Sequence, residues 1–230
     1  MLRPWFFLDR TSYQFLLQNI ACMRNRSWSF TDIVGLDEDS LKTVPSPCAG
    51  IIFLYPFSQV ESRKKRLGKV RGASAEGVWF MDQTIGNACG AVALMHTVMN
   101  CMDVVSKDSI FLRKFKADAS SASTHERGEL FGQSLRGLHD EVSGRGQTEA
   151  PKPNADLDFH FISLVPVNGR LYELDGNNDG PIDLGPLGSG SAGFLPSAVA
   201  HIKNVYIAPF PDSHFSMMAL GPCASPAAGI

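Results

Sequence analysis

A thiol, an imidazole and a carboxylate in this chain have the types and spacing needed for acyl transfer. Cys89 opens an apolar segment of helical length, and the partial positive charge at a helix N-terminus favours a thiolate over a thiol. His160 and Asp175 lie in two apolar, β-prone runs that flank Asn168-Gly169, a strong signal for a two-residue hairpin loop. A carboxylate that orients an imidazole, which in turn takes a thiol proton, is what a thiol hydrolase requires.

The register of this hairpin predicts that the imidazole and the carboxylate meet. With a two-residue loop, Val167 opposes Arg170, and counting outward places Ile162 opposite Asp175. His160 and Asp175 then share one face of the sheet as diagonal neighbours, about 7–8 Å apart at the backbone. A three-residue loop would place the two side chains on opposite faces, so the prediction can be checked directly.

A side-chain amide six residues before the thiol completes the set. Gln83 ends a predicted strand, and its amide could stabilise an oxyanion together with the backbone N–H of Cys89. Taken singly, these residues also fit a buried thiol, a core histidine, a turn aspartate and a polar strand end. Only their combination favours catalysis. The other histidines have no comparable partner in sequence and are assigned no chemistry: His96, His125, His139, His201 and His214.

The elements that must position these residues alternate between helical and extended patterns. Apolar spacing and length predict helices at 13–23, 88–100 and 110–116. Strands are predicted at 48–57, around Val78 and Phe80, on both sides of the hairpin within 158–176, and at 215–220. Apart from its short helix, the segment 106–153 is rich in Ser, Gly and charge and is predicted to be mostly loop.

Composition predicts one globular domain and names no ligand. The 230 residues are 44% hydrophobic and 19% charged with a formal net charge of -2, which gives no bulk attraction to nucleic acid or to an anionic membrane. Five widely spaced cysteines without a CxxC pair favour reduced thiols and argue against a metal site, and no cofactor is expected. Asp9 and Arg10 interrupt the apolar run 5–8 far short of a signal or membrane segment, so a cytoplasmic location is expected. The basic segment 63–71 is expected to be a solvated loop, with a nuclear address or a phosphate-binding patch as the alternatives.

Longer motifs around the four chemical residues resemble those of the ubiquitin C-terminal hydrolase family, most closely its short single-domain isozymes. They are Gln83-Thr-Ile-Gly-Asn-Ala-Cys89-Gly90, then Asp158-Phe-His160-Phe-Ile, then Leu171-Tyr-Glu-Leu-Asp175-Gly176. The resemblance extends to Trp28-Ser-Phe-Thr-Asp32, Val44-Pro45 and Gly146-Gln-Thr-Glu-Ala-Pro151, so it covers nearly the whole chain.

This resemblance implies a fold and a domain layout. The fold would be a papain-like α-β-α sandwich of the α/β (α+β) class, with a central antiparallel sheet flanked by helices. The catalytic domain would span residues 1–221, with a short flexible tail at 222–230. The segment at about 138–157 would cross over the active-site cleft and so favour small or unstructured leaving groups.

The resemblance also implies a reaction and its substrate. A monomer would hydrolyse adducts from the C-terminal glycine of ubiquitin through an acyl-thioester on Cys89, with His160 as the general base. Ubiquitin would be held by Leu8, Asp32, Asn87 and Phe159. Three alternatives stay open: a catalytically weak module that sequesters ubiquitin, a hydrolase that prefers a ubiquitin-like modifier, and a general papain-like peptidase. The cytoplasm is the expected location, with the nucleus left open by the basic segment.

Overall fold

The computed structural model describes residues 28–57, 75–86, 88–102, 109–142, 159–188 and 193–223. Six strands form one antiparallel sheet in the order β1-β6-β2-β3-β4-β5. Their bounds are Trp28–Asp32 for β1, Gly50–Pro56 for β2, Phe159–Val167 for β3, Arg170–Leu174 for β4, Ile182–Pro186 for β5 and Ser216–Pro222 for β6. The sheet therefore places β2 and β3, which are both buried along most of their length, at its centre.

Five α-helices and a π-helical turn are described around this sheet. They are α1 at Glu38–Lys42, α2 at Cys89–Asn100, α3 at Ile110–Asp118, α4 at Thr124–Val142 and α5 at Phe194–Ile202, which continues into the π-helical turn Lys203–Ile207. None of the helices in the described ranges is long and apolar enough to span a lipid bilayer.

The two faces of the sheet bury two separate apolar cores. Successive residues of a strand point to opposite faces, so Ile52 of β2 packs with α2, whereas its neighbours Ile51 and Phe53 pack with α5. Helix α2 is buried from Cys89 to Met99 because one side lies on the sheet and the other is covered by α3 and α4 residues such as Leu112 and Phe131. This layering confirms the predicted α-β-α sandwich with a central antiparallel sheet.

The predicted hairpin register is confirmed. Val167 pairs with Arg170, and the pairing continues to Ser163 opposite Leu174. The loop backbone is left-handed at both loop positions, with φ of 50° at Asn168 and 73° at Gly169, which is the geometry of a type I′ turn. The parity that brings His160 and Asp175 to one face is therefore set by this dipeptide.

Several other predicted elements are confirmed with small changes at their ends. The helices predicted at 88–100 and 110–116, and the strands predicted at 48–57 and 215–220, correspond to α2, α3, β2 and β6. The helix predicted at 13–23 and the basic segment 63–71 lie outside the described residues.

The prediction of loop after α3 is wrong, because α4 occupies 19 residues of that region. Its start carries a capping box. The backbone N–H of Ser123 donates to Glu126 Oε2 at 2.7 Å, and the backbone N–H of Glu126 donates to Ser123 Oγ at 3.3 Å. The Ser-x-x-Glu pattern was readable in sequence and outweighs the Ser- and Gly-rich composition that favoured a loop.

The strand predicted around Val78 and Phe80 is also wrong, because no strand pairs with this segment in the described structure. Its backbone is instead hydrogen-bonded to side chains of two helices. Asn100 accepts from the backbone N–H of Trp79 at 2.8 Å and donates to its carbonyl at 2.9 Å. Arg127 donates to the carbonyl of Phe80 at 3.0 Å. The β-prone residues thus form an extended segment that is held by α2 and α4.

Candidate active site

The predicted nucleophile, Cys89, is the first residue of α2 and is buried. Ala88 precedes it as the N-cap and has no side chain that could accept a hydrogen bond from the helix. The positive end of the helix dipole therefore lies at the sulfur. Because nearly all of α2 is buried between the sheet and its covering helices, the position of the sulfur is fixed by the core rather than by a surface loop.

The predicted imidazole–carboxylate pair is present. His160 Nε2 lies 2.7 Å from Asp175 Oδ1, and both side chains are buried. The same carboxylate oxygen accepts the backbone N–H of Asn177 at 2.9 Å, which fixes the carboxylate in the turn after β4. Since Asp175 uses Nε2, Nδ1 is the nitrogen left to exchange a proton with a thiol.

The thiol and the imidazole are close enough to interact. Burial alone would lower the pKa of His160, but the hydrogen bonds to Asp175 and to the Cys89 side chain, with the charges of both partners, outweigh burial and raise the pKa to about 10. A raised imidazole pKa favours a protonated ring beside the sulfur, which is the charge distribution of a thiolate–imidazolium pair. Three distant stretches of chain therefore meet at one site, as predicted.

Two aromatic residues that sequence reasoning did not assign pack on the imidazole of His160. The rings of Tyr55 and Phe57 lie edge-on to His160 at centroid distances of 5.7 and 5.1 Å. Tyr55 pairs directly with His160 across β2 and β3. These contacts restrict the imidazole ring. No local signal predicts them, because the pairing of β2 with β3 joins residues more than 100 positions apart.

Gln83 lies beside the turn that carries the carboxylate. Its backbone N–H donates to the carbonyl of Gly176 at 2.8 Å. A Cβ on Gly176 would lie 2.8 Å from Val92 Cγ1 and 2.9 Å from Gln83 Cβ, so only glycine allows this approach. The turn after β4, the extended segment and α2 are thereby joined at one point, with Gln83 against Gly176, the residue that follows Asp175.

The predicted substrate-binding residues are distributed over different parts of the chain. Phe159 begins β3 next to His160 and is 40% exposed, as suits a residue at the mouth of the site. Asp32 is exposed at the end of β1, which is three strands away from β3 at about 4.8 Å for each step across the sheet. It therefore lies on a separate surface. Leu8 and Asn87 lie outside the described residues.

The remaining cysteines in the described ranges have no partner for nucleophilic chemistry. Cys48, Cys101 and Cys223 are free thiols, as Cys89 is. Burial raises the pKa of Cys48 to about 12 and that of Cys101 still further, so both stay protonated. Within the same ranges, no group of three His, Cys, Asp or Glu side chains is arranged to hold a metal ion.

One histidine that was given no chemistry has a buried partner. His201 Nε2 on α5 lies 2.8 Å from Glu173 Oε2 on β4. The two residues are 28 positions apart and lie on elements of different type, so no periodicity links them. His96 contacts the backbone of Met81, and burial lowers its pKa to about 4, which keeps it neutral.

Fold and site together are those of a thiol hydrolase in which a helix carries the candidate nucleophile and a β-hairpin carries its candidate base. Comparison with known sequences identifies the family. The family model "Ubiquitin carboxyl-terminal hydrolase, family 1" matches residues 11–207. The chain therefore belongs to this family and is a ubiquitin C-terminal hydrolase.

Individual relatives agree with this assignment. Ubiquitin carboxyl-terminal hydrolase isozyme L1 of Macaca fascicularis is 36% identical over 170 residues, which cover 71% of this chain and 75% of the relative. A probable ubiquitin carboxyl-terminal hydrolase of Dictyostelium discoideum is 36% identical over 169 residues, covering 70% and 66%. The crystal structure of the Trichinella spiralis UCH37 catalytic domain bound to ubiquitin vinyl methyl ester aligns with a TM-score of 0.75 at 25% identity, covering 97% of this chain and 96% of that one.

Proposed function

We propose that this hydrolase removes small or unstructured adducts from the C-terminal glycine of ubiquitin, with Cys89 as nucleophile. The observation that carries the assignment is the 2.7 Å contact between His160 and Asp175, together with the hydrogen-bonding proximity of His160 to Cys89 at the start of α2. Ubiquitin as substrate is supported by the family and by the related structures that hold ubiquitin vinyl methyl ester.

In the first half of the reaction, Nδ1 of His160 takes the thiol proton of Cys89, and the sulfur attacks the carbonyl carbon of the terminal glycine. Asp175 keeps Nε2 engaged and stabilises the imidazolium that forms. The negative charge that develops on the carbonyl oxygen is stabilised by the backbone N–H of Cys89 and the side-chain amide of Gln83. A single donor of this kind contributes about 2.7–4 kcal/mol of transition-state stabilisation in other hydrolases.

In the second half, the imidazolium of His160 returns its proton to the leaving amine as the carbon–nitrogen bond breaks. The product is ubiquitin joined to Cys89 by a thioester. A water molecule then gives a proton to the neutral imidazole and attacks the thioester carbon, which releases the ubiquitin carboxylate. The proton passes to the departing sulfur, so the free enzyme is restored.

The preference for small adducts rests on how the chain must reach the site. Helix α4 ends at Val142 and β3 begins at Phe159, directly before the catalytic imidazole. The connection must therefore end at the mouth of the site. In our proposal the part of the predicted segment 138–157 that follows α4 crosses over the site, because residues 138–142 belong to the helix. A covered cleft admits glycine residues and narrow groups, whereas a folded protein on the scissile bond would collide with the covering segment.

The proposal extends to the setting in which the enzyme works. The catalytic domain covers residues 1–221, and the protein acts as a monomer in the cytoplasm, with the nucleus as an additional location. The exposed Asp32 is part of the surface that holds the body of ubiquitin, whereas the half-exposed Phe159 contacts its C-terminal tail.

Covalent capture of the nucleophile tests the proposal. Ubiquitin vinyl methyl ester carries an electrophile where the scissile bond would be, so it should form one adduct, at Cys89, detected by intact mass and located by peptide mapping. Cys89→Ala should form no adduct and should not hydrolyse a ubiquitin C-terminal amide reporter, yet it should still bind ubiquitin. Cys101→Ala is the matched control and should label fully.

Other outcomes would reject specific parts of the proposal. An adduct on another cysteine, or unchanged turnover by Cys89→Ala, would remove the nucleophile assignment. Ubiquitin binding without labelling or turnover by the wild type would indicate a sequestering module. A higher kcat/KM on a ubiquitin-like modifier than on ubiquitin would change the substrate, and rapid digestion of an unfolded protein would indicate a general peptidase.

A further inference from the structure

A second imidazole–carboxylate pair, with its carboxylate buried and its imidazole partly buried, lies close to the catalytic carboxylate in the chain. Glu173 is in β4 and Asp175 directly follows Leu174, the last residue of that strand, so the two side chains share the parity of one face of the sheet. Glu173 is 2% exposed and accepts a contact of 2.8 Å from His201 Nε2. The reaction described above uses neither residue of this second pair.

A buried carboxylate needs hydrogen-bond donors, particularly near a second carboxylate. Removing one donor from a buried charged acceptor is destabilising, because the lost hydrogen bond is not replaced by water. His201 meets this need from α5, which packs against β3 and β4. The Glu173 carboxylate in β4 and the Asp175 carboxylate in the turn after it therefore each contact an imidazole.

The second pair is connected to the catalytic imidazole through aromatic side chains. The ring of Tyr206, in the π-helical turn after α5, lies 5.9 Å from His201 and 4.9 Å from Tyr55. Tyr55 in turn lies edge-on to His160 at 5.7 Å. Burial first, and then the charge of the nearby Glu173, raise the pKa of Tyr206 well above its usual value, so its hydroxyl stays protonated beside the carboxylate.

We propose that His201 is a positioning residue for the catalytic imidazole. By its hydrogen bond to Glu173, it fixes the end of β4 that leads into Asp175, and it holds the Tyr206–Tyr55 contact against which His160 rests. His201 touches no reacting atom. This inference rests on the proposed function, because it assumes that His160 serves Cys89.

Substitution of His201 and Glu173, singly and together, tests this role. His201→Leu leaves the Glu173 carboxylate without its imidazole, so kcat on the ubiquitin amide reporter should fall by about 3- to 30-fold, while KM should stay within about twofold. Glu173→Gln alone should stay close to the wild type. The double variant should recover most of the lost kcat, because a neutral amide at position 173 loses less than a carboxylate does when the His201 donor is absent.

Controls separate positioning from folding and from the identity of the nucleophile. The thermal midpoint of each variant gives its folded fraction, and His201→Gln, which keeps a hydrogen-bond donor, provides a milder change if His201→Leu does not fold. His125→Gln is the matched control. His125 is exposed and lies 3.7 Å from Asp82 and 3.8 Å from Glu129, so its loss should leave kcat unchanged.

The inference is wrong if folded His201→Leu and His201→Gln keep the wild-type kcat, or if Glu173→Gln restores nothing to the double variant. It is also wrong if kcat falls only in proportion to the folded fraction. These results are distinct from failure of the proposed function, which would be seen as turnover by Cys89→Ala whatever the behaviour of the His201 variants.

Discussion

Helix α2 begins at Cys89 and is followed directly by Cys101, so a single helix has a thiol at each end. At the first end, the sulfur meets an imidazole that is held by a carboxylate. At the second end, the thiol of Cys101 donates to the carbonyl of Thr97 at 3.0 Å, and burial raises its pKa far above the usual range. Helix α2 positions both thiols. The side chains that neighbouring segments bring to each end determine whether the thiol there can react.

The strands approach the two ends in a similar way. Next to the Cys89 end, Gly176 allows the turn after β4 to contact Val92. Next to the Cys101 end, Gly50 allows β2 to contact Thr97, where a Cβ would lie 2.6 Å from the Thr97 methyl carbon. Close packing alone therefore does not make a catalytic site. The difference is that β3 and the turn after β4 bring His160 and Asp175 to the first end, whereas at the second end the Cys101 thiol donates to a carbonyl of its own helix.

The same substitution at the two thiols should give the largest contrast. Cys89→Ser should lower kcat/KM on a ubiquitin amide reporter by about 10³-fold or more, because a hydroxyl is a far weaker nucleophile at this position. Cys101→Ser should keep kcat/KM, since a hydroxyl can donate to the Thr97 carbonyl as the thiol does. Comparable losses in both variants would show that the two ends are not chemically distinct.

Asp175→Asn should follow in size, with a loss of kcat of about 10²- to 10⁴-fold, because an amide neither stabilises the imidazolium nor fixes its tautomer. At the other end, Thr97→Val breaks the 2.7 Å contact with Ser163 and should cost about 1–3 kcal/mol of stability with no change in kcat. Reporter kinetics and denaturant titrations measure the two effects. A kcat loss under tenfold in Asp175→Asn would exclude the orienting role.

The pH dependence of kcat/KM should give the next largest difference between the two ends of α2. Because the pKa of His160 is raised, kcat/KM should decline as pH rises towards about 10 rather than through the ordinary histidine value of about 6.5. The stability that this shift contributes is complete below about 6.5 and is lost as pH rises through the folded-state pKa. Cys101→Ser should give the wild-type profile. An alkaline limb near the ordinary value would contradict the raised pKa.

Alanine substitutions of Gly176 and Gly50, one near each end of α2, should give the smallest difference in kcat/KM. An added methyl group at Gly176 or at Gly50 should cost about 1–3 kcal/mol of stability through overpacking against α2. Gly176→Ala should also lower kcat/KM by about tenfold, because it shifts Asp175 relative to Gln83. Gly50→Ala should leave kcat/KM unchanged. Equal kinetic losses in the two folded variants would mean that the active site responds to packing anywhere along α2.

The parts of the site that the sequence predicted depend on local signals. The Asn168-Gly169 turn fixes strand parity, so the contact between His160 and Asp175 followed from counting residues. The start of α2 at Cys89 followed from the length of an apolar run. No local pattern places the Cys89 thiol next to the hairpin. That contact was predicted only because a thiol hydrolase needs the thiol, the imidazole and the carboxylate together.

The parts that failed or were missed depend on contacts between distant segments. The segment from Val78 to Met81 has β-prone residues, yet side chains of helices satisfy its backbone, which no propensity reveals. Helix α4 was missed for a different reason, since its Ser123–Glu126 capping box was readable but was outweighed by composition. The His201–Glu173 pair depends on how α5 lies on the sheet, and nothing in the sequence specifies that placement.

The extended segment before Gln83 has a consequence for protein engineering. Its backbone is held by Asn100 and His96 from the helix that carries Cys89, and by Arg127 from α4. A designer who transplanted only the four chemical residues onto another scaffold would leave this segment without its supports, and Gln83 would have no fixed place. The smallest transferable unit therefore includes three supporting side chains besides the four chemical residues.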